Sequence, residues 1–468
     1  MQKNIQRVVL RVLAGLVLFQ PGCGFFKSSD PADVPLSEQT VPEKWSSEEV
    51  DPVTVQPWLA DFNDPMLTDL VKEALHNNRD LRAAAARLAA SDATNRLVSG
   101  NVFPTVSGEF STDNNWREGS DTGNGSDSRR SSTHSLGLRV SWEADIWAKI
   151  ADQSDAATAE YLASRADYRA FELSLAANVV KAWFRVIEAV QVERLAVKRY
   201  ELAEQTAKVI EESYNRGLTS SSEFHSALEK KASAAATLAV SEVDRDGEIR
   251  NLEALLGRYP ASRIDASVAD FPHLEKNVPA GLPSELLARR PDLVAARHRL
   301  LASEKRLRAT EKNLLPTFKL TAAGGTISDE LHNLLDWDYL VLKLAGNIMQ
   351  VLVDGGQTRA GADLDRAKRD ERISLYGAAL LNGFREVETA LAADRYYRIR
   401  QQYVGEALSE IEEVQRRAEE RYRLGIGDIL SVLTSRSASL NGRENQIKIN
   451  SARLQARINL YLALGGDY

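Results

Sequence analysis

Apolar and polar positions along this chain follow two rhythms, and each predicts an element. Tyr168, Phe171, Leu175, Val179, Ala182 and Val186 are separated by steps of 3, 4, 4, 3 and 4, and Ile373, Tyr376, Leu380, Phe384, Val387 and Leu391 repeat those steps. A period of about eleven residues predicts helices that pack straight or slightly right-handed. Leu195, Leu202 and Val209, like Val404, Ile411 and Ala418, recur every seven residues, which predicts a left-handed coiled coil. Glycine and proline are nearly absent from Asp145 to Gly217 and, apart from Gly361, Gly377, Gly383 and Gly405, from Asp354-Gly-Gly356 to Gly425. The spacing predicts two helices of about 70 residues and about 100 Å, longer than ordinary globular domains use. Asp145 and Asp354 are placed to cap them. Helices over 220–256 and 428–464 return along them, giving helical hairpins over 147–257 and 355–465.

The second rhythm is strict alternation. Val106, Gly108 and Phe110 alternate with Ser107, Glu109 and Ser111; Leu136, Leu138, Val140 and Trp142 alternate with Ser135, Gly137, Arg139, Ser141 and Glu143. Phe318, Leu320 and Ala322 are answered by Leu340, Leu342, Leu344 and Ile348, with Lys343 on the other face. These patterns predict β-hairpins over 102–144 and 316–350. The polar stretch from Asp113 to Thr133 reads as an external loop, and a shorter one surrounds Ser328 to Asp336. Alternation over roughly 9–11 residues fits membrane-spanning strands, although the edge of a soluble sandwich alternates in the same way. Four strands cannot close a barrel, and an open edge cannot persist in lipid, where its N–H and C=O groups would lack partners. Strands placed in a membrane therefore require several chains to share one barrel.

The chain is also written twice. Asp80-Leu81 leads to Phe103-Pro104-Thr105, and Asp292-Leu293 leads to Leu315-Pro316-Thr317, 212 positions on. Tyr214-Asn-Arg-Gly217 matches Tyr422-Arg-Leu-Gly425, and Leu256-Gly257 matches Leu464-Gly465, both 208 positions on. The units are 61–270 and 281–468. Each begins with a helix (64–99; 282–313) that a proline stops before the first strand.

The N-terminus changes the compartment. Lys3, Arg7 and Arg11 are the only charges before residue 27, and Val12 to Phe19 is an apolar run too short for a bilayer about 30 Å thick. This layout predicts a secretory signal over 1–22. Cys23 follows Pro21-Gly22, as an acylated cysteine does in bacterial lipoprotein signals, but Gln20 stands where an aliphatic residue is usual, and ordinary signal cleavage is the alternative. Residues 23–60 read as a tether.

Charge and composition mostly exclude. With 59 Lys+Arg against 66 Asp+Glu the formal charge is −7, so no basic surface suits nucleic acid. A mean hydropathy of −0.32 and no apolar run of eighteen residues exclude a polytopic helical membrane protein. A single cysteine excludes a disulfide framework and a Cys-based zinc site. The six histidines are scattered, and no phosphate loop or Gly-x-Ser-x-Gly elbow occurs, so neither an enzyme nor a cofactor is expected.

Taken together, the chain resembles the TolC-type outer-membrane efflux channels, closest to the lipoprotein branch of OprM- and NodT-like proteins. The resemblance rests on Trp58-Leu-Ala-Asp-Phe-Asn-Asp-Pro65, Asn78-Arg-Asp-Leu-Arg82, Arg289-Arg-Pro-Asp-Leu293, Leu315-Pro316, Asp354-Gly-Gly356 and the two Tyr-x-x-Gly turns. It implies a mainly α protein with membrane β-strands: a homotrimer closing a twelve-stranded barrel in the bacterial outer membrane, above a helical tunnel in the periplasm. It further implies a lipid anchor (palmitate) at Cys23, and a passive duct for small molecules working with a periplasmic adaptor and an inner-membrane pump. Export of polypeptides in type I secretion, or an exported coiled-coil scaffold without a pore, are the alternatives. By the same resemblance, Arg216, Gly217 and Leu218, with Leu424, Gly425 and Ile426, form the tips that dock the adaptor. Family members often close the periplasmic end with a leucine eight residues after the turn tyrosine and an acidic ring twelve after it. Counting from Tyr422 these positions are Leu430 and Thr434, so the leucine is kept and the acid is not; Asp428 is the nearest carboxylate. The first-copy equivalents are Ser222 and Ser226.

Overall fold

The computed structural model describes residues 45–46, 58–117, 129–267, 269–274, 278, 283 and 286–466. The signal segment, Cys23 and most of the tether lie outside the described residues, which all belong to one compact unit, Val41–Tyr468.

Each half of that unit has the same order of elements. The first runs α1 (Pro65–Asn77), α2 (Arg79–Ser99), β1 (Thr105–Arg117), β2 (Arg129–Ala144), α3 (Lys149–Asn215) and α4 (Ser221–Leu255). The second runs α5 (Leu286–Arg289), α6 (Pro291–Glu311), β3 (Thr317–Ser328), β4 (Leu340–Met349), α7 (Gln357–Arg423) and α8 (Ile429–Ala463). Helices α2 and α6 begin and end 212 positions apart, whereas α3/α7 and α4/α8 begin and end 208 apart. The drift seen in the sequence is one step of four residues inside the β-hairpin. Both α3 and α7 hold 67 residues, about 100 Å.

Three local expectations change. The helix expected over 282–313 breaks at Arg290 (φ −73, ψ 116), and the one expected over 64–99 breaks at Asn78, whose backbone (φ −59, ψ 130) is likewise extended. Its side chain accepts from Leu81 N–H at 2.9 Å, capping α2, and donates to Leu255 O at 2.9 Å. The strands outrun the alternation: the ladder continues through Asp113↔Thr133 to Arg117↔Arg129, because the pairing of backbone N–H and C=O groups needs no apolar side chains. Asp145 and Asp354 are not the N-cap residues. Ala148 (φ 56) and Gly356 (φ 89), both left-handed, hold those positions. The aspartates reach forward instead, Asp145 to Ala151 N–H at 2.7 Å and Asp354 to Thr358 N–H at 2.8 Å.

The strands form one antiparallel sheet in the order β1-β2-β3-β4. Its register puts Val106 beside Val140, Val140 beside Ala322, and Ala322 beside Leu344, so the alternating apolar residues share one face. Glu109 and Arg139 pair at 2.8 Å on the other. Among the described residues β1 and β4 have no partner on their outer edges.

The core lies in the helices. Leu175, Val179, Ala182 and Val186 of α3 are buried, as are Tyr376, Leu380, Val387 and Leu391 of α7; Tyr168, Phe171, Ile373 and Phe384 are half-buried. Helix α6 packs between α3 and α7, and α8 packs on both α7 and α3. Helix α2 packs along α3 and makes no comparable contact with α7.

Candidate functional site

Each long helix ends in the same backbone device. At the first tip, Leu218 N–H donates to Ser213 O and Gly217 N–H to Tyr214 O, both at 2.9 Å. At the second, Ile426 N–H donates to Arg421 O at 3.1 Å and Gly425 N–H to Tyr422 O at 3.0 Å. This Schellman arrangement satisfies the last carbonyls only if the residue after the cap is left-handed. Gly217 and Gly425 meet that need with φ of 71 and 77, and nothing lies within 4 Å of the Cβ either would gain. Leu218, Leu424 and Ile426 stand exposed on the turns, and Arg216 is the C-cap of α3.

Beyond the glycines the two tips diverge. Ser220 and Glu223 form a reciprocal capping box at α4, and the Thr219 hydroxyl, then the Ser220 N–H, hold the Glu223 carboxyl below its ordinary range. Tyr214 stacks on Phe224 with ring centroids 5.1 Å apart. At the second tip Asp428 takes the N-cap position of α8, but its side chain makes no cap hydrogen bond. Tyr422 is exposed, and buried Val432 stands where Phe224 stands in the first copy.

Leu430 and Thr434 lie one turn apart on α8, and with Ser437 and Asn441 they form a stripe along a cleft of about 770 Å³ against α3 and α4. Thr434 and its first-copy counterpart Ser226 line the same cleft, whereas Asp428 and Tyr422 do not. The fold therefore brings the leucine and the threonine together and leaves the nearest carboxylate outside. Above them sits a cross-link that the linear sequence does not announce. Arg199 of α3 pairs with Glu444 of α8 at 2.5 Å and donates to Asn441 Oδ1 at 2.8 Å. Burial works against the Glu444 charge, but Lys448 and Arg199 hold its carboxyl below the ordinary range. Partners more than 240 positions apart on polar helix faces give no periodic signal; only the tertiary fold pairs them.

At their other ends the helical hairpins meet a belt. Gly257 and Gly465 repeat the tip device with φ of 74 and 67, but here backbone crowds them: an added Cβ would lie 2.7 Å from Asn77 O or 3.1 Å from Arg289 O. Asn78 donates to Leu255 O, and at the equivalent place Arg290 donates to Ala463 O at 3.1 Å. The Trp58–Phe62 turn closes the belt. Trp58 stacks on Tyr461 at 5.7 Å, Asp64 accepts from Trp183 Nε1 at 2.9 Å, and Asp61 accepts from the Tyr461 hydroxyl. Burial, then the Asp61 carboxylate, pushes that phenol well above its ordinary pKa. Arg457 and Asp394 form a bidentate pair at 2.8 and 3.0 Å, almost wholly buried. No group of three or more His, Cys, Asp or Glu side chains able to hold a metal occurs among the described residues.

This architecture has close counterparts. The solved outer-membrane channel OprN matches with a TM-score of 0.83 at 26% identity, over 91% of this chain and 97% of that one. The probable efflux pump outer membrane protein TtgC of Pseudomonas putida is 29% identical over 426 residues, 88% of this chain and 85% of its own length. The cation efflux system protein CusC of Escherichia coli is 28% identical over 419 residues, 88% of each chain. The model of the family described as outer membrane efflux protein matches twice, over residues 70–258 and 282–466. The chain belongs to that family, and so to the TolC-type, OprM-like channels.

Proposed function

We propose that this chain is the outer-membrane channel of a tripartite efflux system, in which three copies close a twelve-stranded barrel and continue it as a helical tunnel. The duct is passive. Small toxic molecules or metal cations enter it from a periplasmic adaptor and an inner-membrane pump, which supplies the energy. One observation carries this reading: a four-stranded sheet with an apolar face and two unpaired outer edges stands on helical hairpins about 100 Å long. Such edges are tolerated in lipid only if they pair with further strands. The exposed Leu218, Leu424 and Ile426 supply apolar anchors for the adaptor at the far end, and acylation of Cys23 adds an anchor at the membrane. Leu430 supplies an apolar constriction near the tips, and threonine at 434 puts no carboxylate one turn further along the same helix.

Planar-bilayer recording on the purified full-length trimer tests the reading. The trimer conducts, and Leu430→Ala raises its conductance; a trimer that does not conduct overturns the channel, and an unchanged conductance in Leu430→Ala overturns the constriction. Gly217→Trp or Gly425→Trp abolishes pump-dependent export while leaving the trimer assembled.

A further inference from the structure

We infer that the connection between β3 and β4 is a lipid-contacting element: it folds back over the lipid-facing side of the sheet and sets Leu331, Leu335 and Trp337 into the outer leaflet. The inference rests on the reading above that the apolar face of the sheet meets lipid, and adds where the membrane ends on this chain.

The register of the sheet measures its apolar band. The inner end is the Ala144↔Phe318 rung, where Trp147 lies 6.3 Å from Phe318 and donates through Nε1 to Pro316 O at 2.8 Å. The outer end is the Leu136↔Thr326 rung, which Phe110 and Leu340 extend to β1 and β4. Eight residues separate the two rungs, about 27 Å along a strand and about 21 Å across the bilayer at a tilt of about 40°. A spanning barrel shows lipid an apolar band about 25 Å tall. The sheet alone stops short of that height.

The connection stands at that end and on that side. It forms two short turns, Leu331–Leu335 and Trp337–Tyr339, and the first packs on both β2 and β3. Thr326, whose side chain belongs to the apolar face, donates through its hydroxyl to Leu334 O at 2.5 Å. Leu334 is buried, and so is Ser328 on the same face. The first turn therefore lies against the outside of the sheet and does not rise from its rim. Asn333 ties it to the second by donating to the Tyr339 hydroxyl at 3.2 Å. Leu331, Leu335 and Trp337 are left 58, 84 and 79% exposed. Apolar side chains beside an apolar band, at the height where it runs short, extend the surface offered to lipid, and a tryptophan with one polar edge suits the boundary.

The first hairpin does the opposite. Beyond Phe110 the same face carries Thr112 paired with His134 at 3.1 Å and Asn114 accepting from Ser132 at 2.7 Å. These polar rungs lead to Trp116, opposite Arg130, about 20 Å further along the strand than Phe110. Trp116 is 82% exposed, much like Trp337, but it stands in water.

Tryptophan fluorescence of the full-length protein in phosphatidylcholine vesicles tests the assignment. The quenchers are aqueous iodide and lipid brominated near the carbonyl end of its acyl chains. Trp337→Phe removes emission that brominated lipid quenches; Trp116→Phe removes emission that only iodide quenches. If the emission lost with Trp337 escapes brominated lipid, the inference is overturned: quenching by iodide then puts the connection in water, and quenching by neither puts it against another copy. Brominated lipid acting equally on Trp116 overturns it as well, because the band would then run past both. Wild-type protein that does not float with the vesicles overturns the membrane reading itself.

Discussion

The two repeats have the same elements at the same lengths, yet they are not equally finished. α3 and α7 are both 67 residues long, but α3 buries 21 of its residues and α7 only 8. The difference is one of neighbours: beside its hairpin partner α4, α3 packs on α1, α2, α6 and α8, while α7 packs only on α6 beside its partner α8. The first repeat is completed by the second within the chain, and in the trimer proposed above the second would be completed by the first repeat of another copy. The two junctions also differ in chemistry. Arg299–Asp167 and Arg306–Glu160 tie α6 to α3, whereas the equivalent positions between α2 and α7 hold Arg87 with Leu375 and Thr94 with Lys368. The junction inside the chain is ion-paired, whereas the matching positions of the open one set a cation beside an uncharged side chain and hold no such pair.

The sharpest way to break the equivalence of the repeats is at the belt. Arg457 and Asp394 form a buried ion pair, and their first-copy equivalents are Ile249 and Val186, both buried. Arg457→Ala leaves Asp394 charged and unpartnered, and should cost about 3–5 kcal/mol, read as a lowered unfolding midpoint of the trimer in detergent. The double replacement Asp394→Val, Arg457→Ile copies the first repeat and should recover most of that loss. A double variant as unstable as the single one would mean that the two belts are packed on different principles.

The next comparison sets belt against tip. Gly257→Ala meets both the left-handed backbone and Asn77 O, and should cost about 2–4 kcal/mol. Gly217→Ala meets only the backbone strain, about 1–2 kcal/mol. Denaturant unfolding of the two variants side by side should keep that order.

The smallest effect separates the two tips. Ser220→Ala removes one half of a capping box and should cost about 1 kcal/mol. Asp428→Ala at the equivalent position removes no side-chain bond and should stay within about 0.5 kcal/mol. Equal losses in thermal melts would show that the tips are capped alike.

What could be read from the sequence depended on how far away each cause lies. The long helices were legible because they need only an unbroken run without glycine or proline, and the tip glycines because a left-handed residue after a helix is a local demand. Leu430 and Thr434 were legible as neighbours, four residues apart on one helix, but the cleft they face depends on α3 and α4, which periodicity does not position. The break at Asn78 was hidden, since its second partner is Leu255 O, 177 residues on. Arg457 and Asp394 were hidden for a related reason. A charge on a long helix reads as solvated, and only the packing of α7 on α8 takes both out of water. The extra length of the strands was misread because polarity reports the surroundings of a side chain, not the pairing of its backbone.

The single step of four residues, confined to the β-hairpins, also limits how this protein can change. Deleting one residue from α3 would turn everything beyond it by about 100°, so each knob on the far side would miss its hole and the belt and tips would lose phase. Helices packed from the belt to the tip turns behave like a toothed shaft, whose length cannot drift while its neighbours keep theirs. The outer ends of the hairpins carry no such load, because nothing past them must stay in step once the strands have paired. New epitopes and inserted loops belong there, and the helices admit none.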